Sequence, residues 1–90
     1  MKIYKSDILF YREQVEKLDN WILQLISQRM VVAKLILDIK AKHNETSFDN
    51  QREVDLLNKN MDSGKKLNLK EDVIKEYTSF ILKSSKDDCF

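Results

Sequence analysis

Apolar residues recur along the first half of the chain at Ile8, Tyr11, Val15, Leu18, Ile22 and Leu25, then at Val32, Ile36 and Ile39. Steps of three and four, kept up over more than four heptads, put these side chains on one face of a helix. The spacing predicts a first helix from about Ser6 to about His43. The stretch His43-Asn44-Glu45-Thr46-Ser47 is polar and rich in cap-forming side chains, so it ends that helix, and a second starts near Asp49. This second helix carries Val54, Leu57 and Met61 as its apolar row. Gly64 stands where a left-handed C-terminal cap is wanted, and Asn68 with Glu71 three residues on forms a capping-box variant that opens a third helix. The third helix turns Ile74, Tyr77 or Thr78, Ile81 and Ser85 inward. With no proline and one glycine in 90 residues, turn punctuation is missing almost throughout, which only helices tolerate comfortably. The expected class is all-α, with one long helix and two shorter ones in a single domain spanning residues 1–90.

Length turns this pattern into an expectation about assembly. About 38 helical residues form a rod of roughly 57 Å, whereas a compact chain of this size has a radius of gyration near ~12 Å and a diameter of about 30 Å. Two short helices cannot cover such a rod, so its apolar row is expected to pair with a second copy in an intertwined helical homodimer.

Composition then narrows the function classes. Hydrophobic residues make up 42% and charged ones 34%, a globular balance. No apolar run approaches the ~20 residues of a membrane span. Sixteen basic against fifteen acidic residues leave a formal charge of +1, so no overall field draws nucleic acid or an anionic membrane. One cysteine, Cys89, cannot close an internal disulfide, and one histidine, His43, cannot build a zinc site with it. No metal and no cofactor is expected, and His43 reads as a helix C-cap. The segment from Met1 to Asp7 leads into no signal-type apolar stretch, so the expected location is cytoplasmic.

The chemistry concentrates on three arginines. Arg12, Arg29 and Arg52 are the exceptions among basic residues that are otherwise lysines. Where generic positive charge suffices this chain uses lysine, so the planar, bidentate arginines are candidates for holding a carboxylate ligand. Arg29 interrupts the apolar row between Leu25 and Val32. It either fixes register by pairing with a carboxylate on a partner helix or forms an anion site inside the bundle. Lys40 lies 11 residues on, three turns plus about 20°, and so projects from nearly the same face. Arg12 and Arg29 stand ~25 Å apart on one helix, too far to share a small ligand, although an antiparallel dimer brings Arg12 of one chain near Arg29 of the other. Asp49, Arg52 and Glu53 cluster in the first turn of the second helix, as a capped and locally ion-paired terminus or as acceptors for ligand hydroxyls. No nucleophilic triad, phosphate loop or nucleotide fingerprint is present. Cations and carboxylates between helices suit a reaction catalysed by holding a conformation and stabilising charge.

These residues resemble the all-helical AroQ-class chorismate mutases of the short bacterial type, over roughly residues 8–85. Tyr11-Arg12-Glu13-Gln14-Val15-Glu16-Lys17-Leu18-Asp19 is similar to the family's opening pattern, Ile26-Ser27-Gln28-Arg29-Met30 to its Leu-x-x-Arg segment, and Ile39-Lys40 to the lysine near the end of its long helix. Asp49-Asn50-Gln51-Arg52-Glu53 matches the Asp-x-x-Arg-Glu opening of helix two, and Ser85 falls on the serine of helix three. The resemblance implies an intertwined three-helix dimer with two sites for a chorismate-like dicarboxylate. Arg12 would cross from the partner chain to one carboxylate with help from Arg29, and Lys40 would contact the ether oxygen and ring hydroxyl. Glu53 and Asp49 would read the hydroxyl side, and Arg52 with Ser85 would complete the cage. The implied reaction is the pericyclic rearrangement of chorismate to prephenate, in aromatic amino acid biosynthesis. Cys89 departs from the pattern by standing where the family places a glutamine or glutamate that donates to the ether oxygen, which implies a weaker activity. Other chemistries on the same fold are isochorismate pyruvate lyase and 4-amino-4-deoxychorismate mutase. A reading of another class is a catalytically silent helical dimer that binds a metabolite or protein.

Overall fold

The structure is a computed structural model in which residues 2–45 and 50–87 are described, with side chains described over 4–45 and 50–84. Three helices follow one another: α1 (Lys2–Lys42), α2 (Asn50–Lys66) and α3 (Glu71–Asp87), with no strand among the described residues. The chain is all-α, as its periodicity requires. Helix α1 starts four residues before the expected Ser6, because neither glycine nor proline interrupts the segment and Ser6 and Asp7 are taken into the helix. By internal packing the chain forms two units, Met1–Val31 and Val32–Phe90.

In the first unit the apolar row of α1 is open: Tyr11, Val15, Leu18, Ile22 and Leu25 each keep more than half of their surface exposed. Phe10 and Tyr11 meet edge to face, with centroids 5.2 Å apart. Such a helix gains little from its own side chains in water, since helical stability in proteins comes mainly from packing an apolar face.

In the second unit α2 and α3 pack on each other. Ile74, Thr78 and Ile81 are buried, so the inner position left open between Tyr77 and Thr78 belongs to Thr78, and Tyr77 is exposed. Gly64, expected as a left-handed cap, instead lies inside α2, buried, and no glycine has positive φ. It is small for another reason: a Cβ there would sit 2.5 Å from Ile74 Cδ1 and 2.6 Å from Cγ1, so only glycine lets α3 come this close. The left-handed position falls to Asn68, at φ 63°. The Leu69 N–H donates to Gly64 O and the Asn68 N–H to Lys65 O, both at 3.0 Å, the paired bonds of a Schellman motif. Asn68 therefore closes α2 and does not cap α3. The first α3 bond runs from the Ile74 N–H to Lys70 O, and the Glu71 carboxylate meets Lys65 Nζ at 3.0 Å. Helix α1 ends in the same way. Asn44 has φ 58°, the Glu45 N–H donates to Lys40 O at 2.8 Å and the Asn44 N–H to Ala41 O at 3.2 Å, so His43 does occupy the C-cap. In the second helix the expected row is partly displaced: Leu57 and Met61 are half-buried, Val54 is exposed, and Asn60 and Gly64 meet α3.

Candidate active site

The expected site residues divide between the two units. Arg12 and Arg29 both lie in the first, Arg12 exposed and Arg29 half-buried. Seventeen residues of helix separate them by about 25 Å, so this unit cannot bring both to one small ligand. Lys40, Arg52 and Glu53 lie in the second. Lys40 is half-buried where α1 closes, its carbonyl accepting from Glu45 and from the His43 N–H at 3.1 Å. Arg52 is exposed in the first turn of α2, beside Glu53. Asp49 and Cys89 lie outside the described residues. Ser85 is described only as part of the α3 helix, and its side chain falls outside the described set.

Glu53 is the acidic residue of the first turn of α2, where the exposed N–H groups of the helix end favour negative charge. It is half-buried, and its Oε1 is shielded from solvent. It lines a cavity of about 360 Å³ between α2 and α3, with Val54, Leu57, Lys75, Thr78, Ser79 and Leu82. That lining sets the Glu53 carboxylate, the Lys75 ammonium and the Ser79 hydroxyl among aliphatic walls, a mixture that suits a small polar ligand. A second cavity of about 320 Å³ lies toward the other end of the helix pair, among Asn60, Gly64, Leu69, Val73, Ile74 and Tyr77. It is almost wholly apolar and holds none of the expected site residues.

Asn60 escapes a reading of the sequence for charge and apolar period, and that reading leaves the parts that Gly64 and Thr78 play in this seam undefined. Asn60 Nδ2 donates to Thr78 Oγ1 at 3.0 Å, and Thr78 Oγ1 donates to Ile74 O at 2.8 Å. The signal that finds them is spacing. Residues 53, 57, 60 and 64 step by four, three and four, and 74, 78, 81 and 85 repeat those steps.

Among the described residues no helix is long and apolar enough to cross a membrane, and no three His, Cys, Asp or Glu side chains are grouped to hold a metal.

An all-helical chain with arginines and a lysine along its long helix and an acid opening the next defines a class of protein that the comparisons name. Residues 11–88 match the family model of chorismate mutase type II, and the chain belongs to that family. It is 33% identical over 81 residues to the bifunctional chorismate mutase/prephenate dehydratase of Buchnera aphidicola subsp. Schizaphis graminum (strain Sg), covering 90% of this chain and 21% of that protein. It is 29% identical over 80 residues to the protein of the same description from Buchnera aphidicola subsp. Acyrthosiphon pisum (strain APS), covering 89% of this chain and 21% of the relative. The chain thus spans about a fifth of the length of these curated relatives. No solved structure matches it.

Proposed function

We propose that this chain is a chorismate mutase that rearranges chorismate to prephenate and works as one domain in a homodimer. The observation that carries the reading is the family match over residues 11–88, which takes in Arg12, Arg29, Lys40, Asp49, Arg52, Glu53 and Ser85 in order. The relatives' names support it, since the chain aligns with a fifth of proteins described as both mutase and dehydratase. The open apolar row of α1 supports the homodimer, because exposed side chains such as Leu18 and Ile22 call for a covering helix, and a second copy brings the same row.

The reaction is a one-step pericyclic rearrangement, so it needs no nucleophile and no acid-base pair. It needs the substrate held in its compact conformer and the negative charge growing on the ether oxygen neutralised. Arg12 of the partner chain holds one carboxylate with help from Arg29, which answers the ~25 Å between these arginines within one chain. Lys40 faces the ether oxygen and ring hydroxyl. Glu53 and Asp49 accept from the hydroxyl side, and Arg52 and Ser85 close the cage. The product serves phenylalanine and tyrosine supply or a secondary pathway, and the place of action is the cytoplasm.

The test is to incubate the purified chain with chorismate and, separately, isochorismate, and to identify products by chromatography. Prephenate from the first, lost in Arg29→Ala, is the expected result. Salicylate and pyruvate from isochorismate would instead make the chain a lyase. No turnover of either by the folded chain would make it a binding module.

A further inference from the structure

We infer that Asn60 and Thr78 are positioning residues, whose hydrogen bond fixes the register of α2 on α3 that sets Glu53 level with Ser85. Its catalytic consequence rests on the mutase reading above.

Two contacts define the alignment. Asn60 Nδ2 donates to Thr78 Oγ1. Gly64 lies against Ile74, so close that a Cβ would be 2.5 Å from Cδ1. Each contact is four residues from the other on both helices, and the order reverses, so the helices run antiparallel and in step. Carrying the same step onward sets Leu57 level with Ile81 and Glu53 level with Ser85. The last layer lies seven residues, about 10 Å, beyond the Asn60–Thr78 bond on both helices. The cavity that joins Glu53 and Leu57 to Thr78 and Leu82 agrees with this register.

The close Gly64–Ile74 layer admits that register, and the other apolar layers add little to it. Ile74 and Ile81 are the same side chain on the same row, and either fills an apolar gap. The polar layer discriminates. Thr78 is 2% exposed, and its hydroxyl proton is committed to Ile74 O at 2.8 Å, which leaves a lone pair that only a donor can satisfy. Asn60 supplies that donor. A slip of one turn in either direction would set Asn60 against Ile74 or Ile81, and would leave a buried acceptor and a part-buried amide unmatched. One polar pair in an otherwise apolar helix seam is a known way to choose between registers that packing leaves close in energy. Here the choice decides which position of α3 stands level with Glu53.

The experiment separates positioning from stability by two substitutions at one position. Thr78→Val keeps the shape and removes the hydroxyl, so the seam stays filled while the Asn60 amide loses its acceptor. Thr78→Ser keeps the hydroxyl and removes a methyl, so the seam is less well filled. If Thr78 acts by register, chorismate turnover follows the hydroxyl: Thr78→Ser keeps kcat within about twofold, and Thr78→Val loses about tenfold or more, a loss that adding Asn60→Leu does not recover although it makes the seam apolar again. Asn60→Leu combined with Thr78→Val loses no more than the worse single variant, because both break one contact. Activity that follows melting temperature, or Thr78→Val with wild-type kcat and KM, overturns the proposal. A second readout does not need catalysis. In a Cys89→Ser chain carrying Glu53→Cys and Ser85→Cys, mild oxidation should cross-link the two positions within one chain, and adding Thr78→Val should cut the yield severalfold. A yield indifferent to Thr78 overturns the register claim. Should the unmodified chain leave chorismate untouched, the mutase reading fails while the cross-link still decides the register.

Discussion

Along α1, Val15, Leu18, Ile22 and Leu25 leave more than half of their surface open, whereas Ile74 and Ile81 of α3 are only 3% and 2% exposed against α2. Both regions carry apolar residues at helical spacing, so spacing alone does not separate them. The difference lies in what is built between those residues. The α2–α3 seam contains a glycine that admits Ile74 and a polar pair that matches across the interface, devices that presuppose one neighbour at one distance. In the first unit of α1 the half-buried Arg29 stands in a row of exposed apolar residues. A row of that kind suits a partner supplied by symmetry.

Substitutions aimed at each region should therefore fail in different ways. The largest effect is expected in α1: Ile22→Glu places two carboxylates in the proposed dimer seam by symmetry, costs at least about 3 kcal/mol, and leaves monomers at micromolar concentration. Sedimentation velocity reads this directly, and an unchanged sedimentation coefficient would remove Ile22 from any seam. Next comes Gly64→Val, which drives a branched side chain into buried Ile74 and should lower unfolding free energy by about 2 kcal/mol. Ile74→Ala in the same chain should recover part of that loss, as urea titration would show. A smaller effect is expected where the helices close. Asn68→Ala holds alanine in a left-handed conformation at a cost of about 1 kcal/mol, while Asn68→Gly should cost nothing measurable. Smallest is Glu71, an exposed carboxylate. Its pKa is lowered first by the hydrogen bond from Lys65, then by the charges of Lys65 and Lys75. A lowered carboxylate pKa means that the folded chain binds fewer protons than the unfolded one, so its small stabilisation is present at neutral pH and lost as pH falls through that value. Glu71→Gln should accordingly lower the melting temperature slightly at neutral pH and leave it unchanged in strong acid.

The number and order of helices were legible in the sequence because the apolar period resumes after Arg29, polar stretches divide the helices and proline is absent. Gly64 was harder. A glycine near the end of a helix suits either a left-handed turn or a close approach, and only the position of Ile74 shows that the second applies. Asn68 was misplaced for a related reason, since asparagine favours both an N-cap and the left-handed residue that ends a helix, and the same few residues do both jobs in turn. For the site, the scarcity of arginine singled out Arg12, Arg29 and Arg52, but an asparagine between apolar positions reads as a solvent-facing residue until its partner is known. Thr78 shows the limit from the other side. Its burial followed from helical period, yet the reason for a hydroxyl there became visible only with Asn60 across from it.

A mutase whose proposed sites are completed across a dimer should regain activity when two damaged chains are mixed. Arg12→Ala and Arg29→Ala homodimers should each fail to convert chorismate. Unfolded and refolded together in equal amounts, they should regain roughly a quarter of the unmodified activity, because half the dimers are then mixed and each holds one intact site of two. No recovery from the mixture, with the unmodified chain active, would contradict the crossing of Arg12. An inactive unmodified chain would contradict the mutase itself.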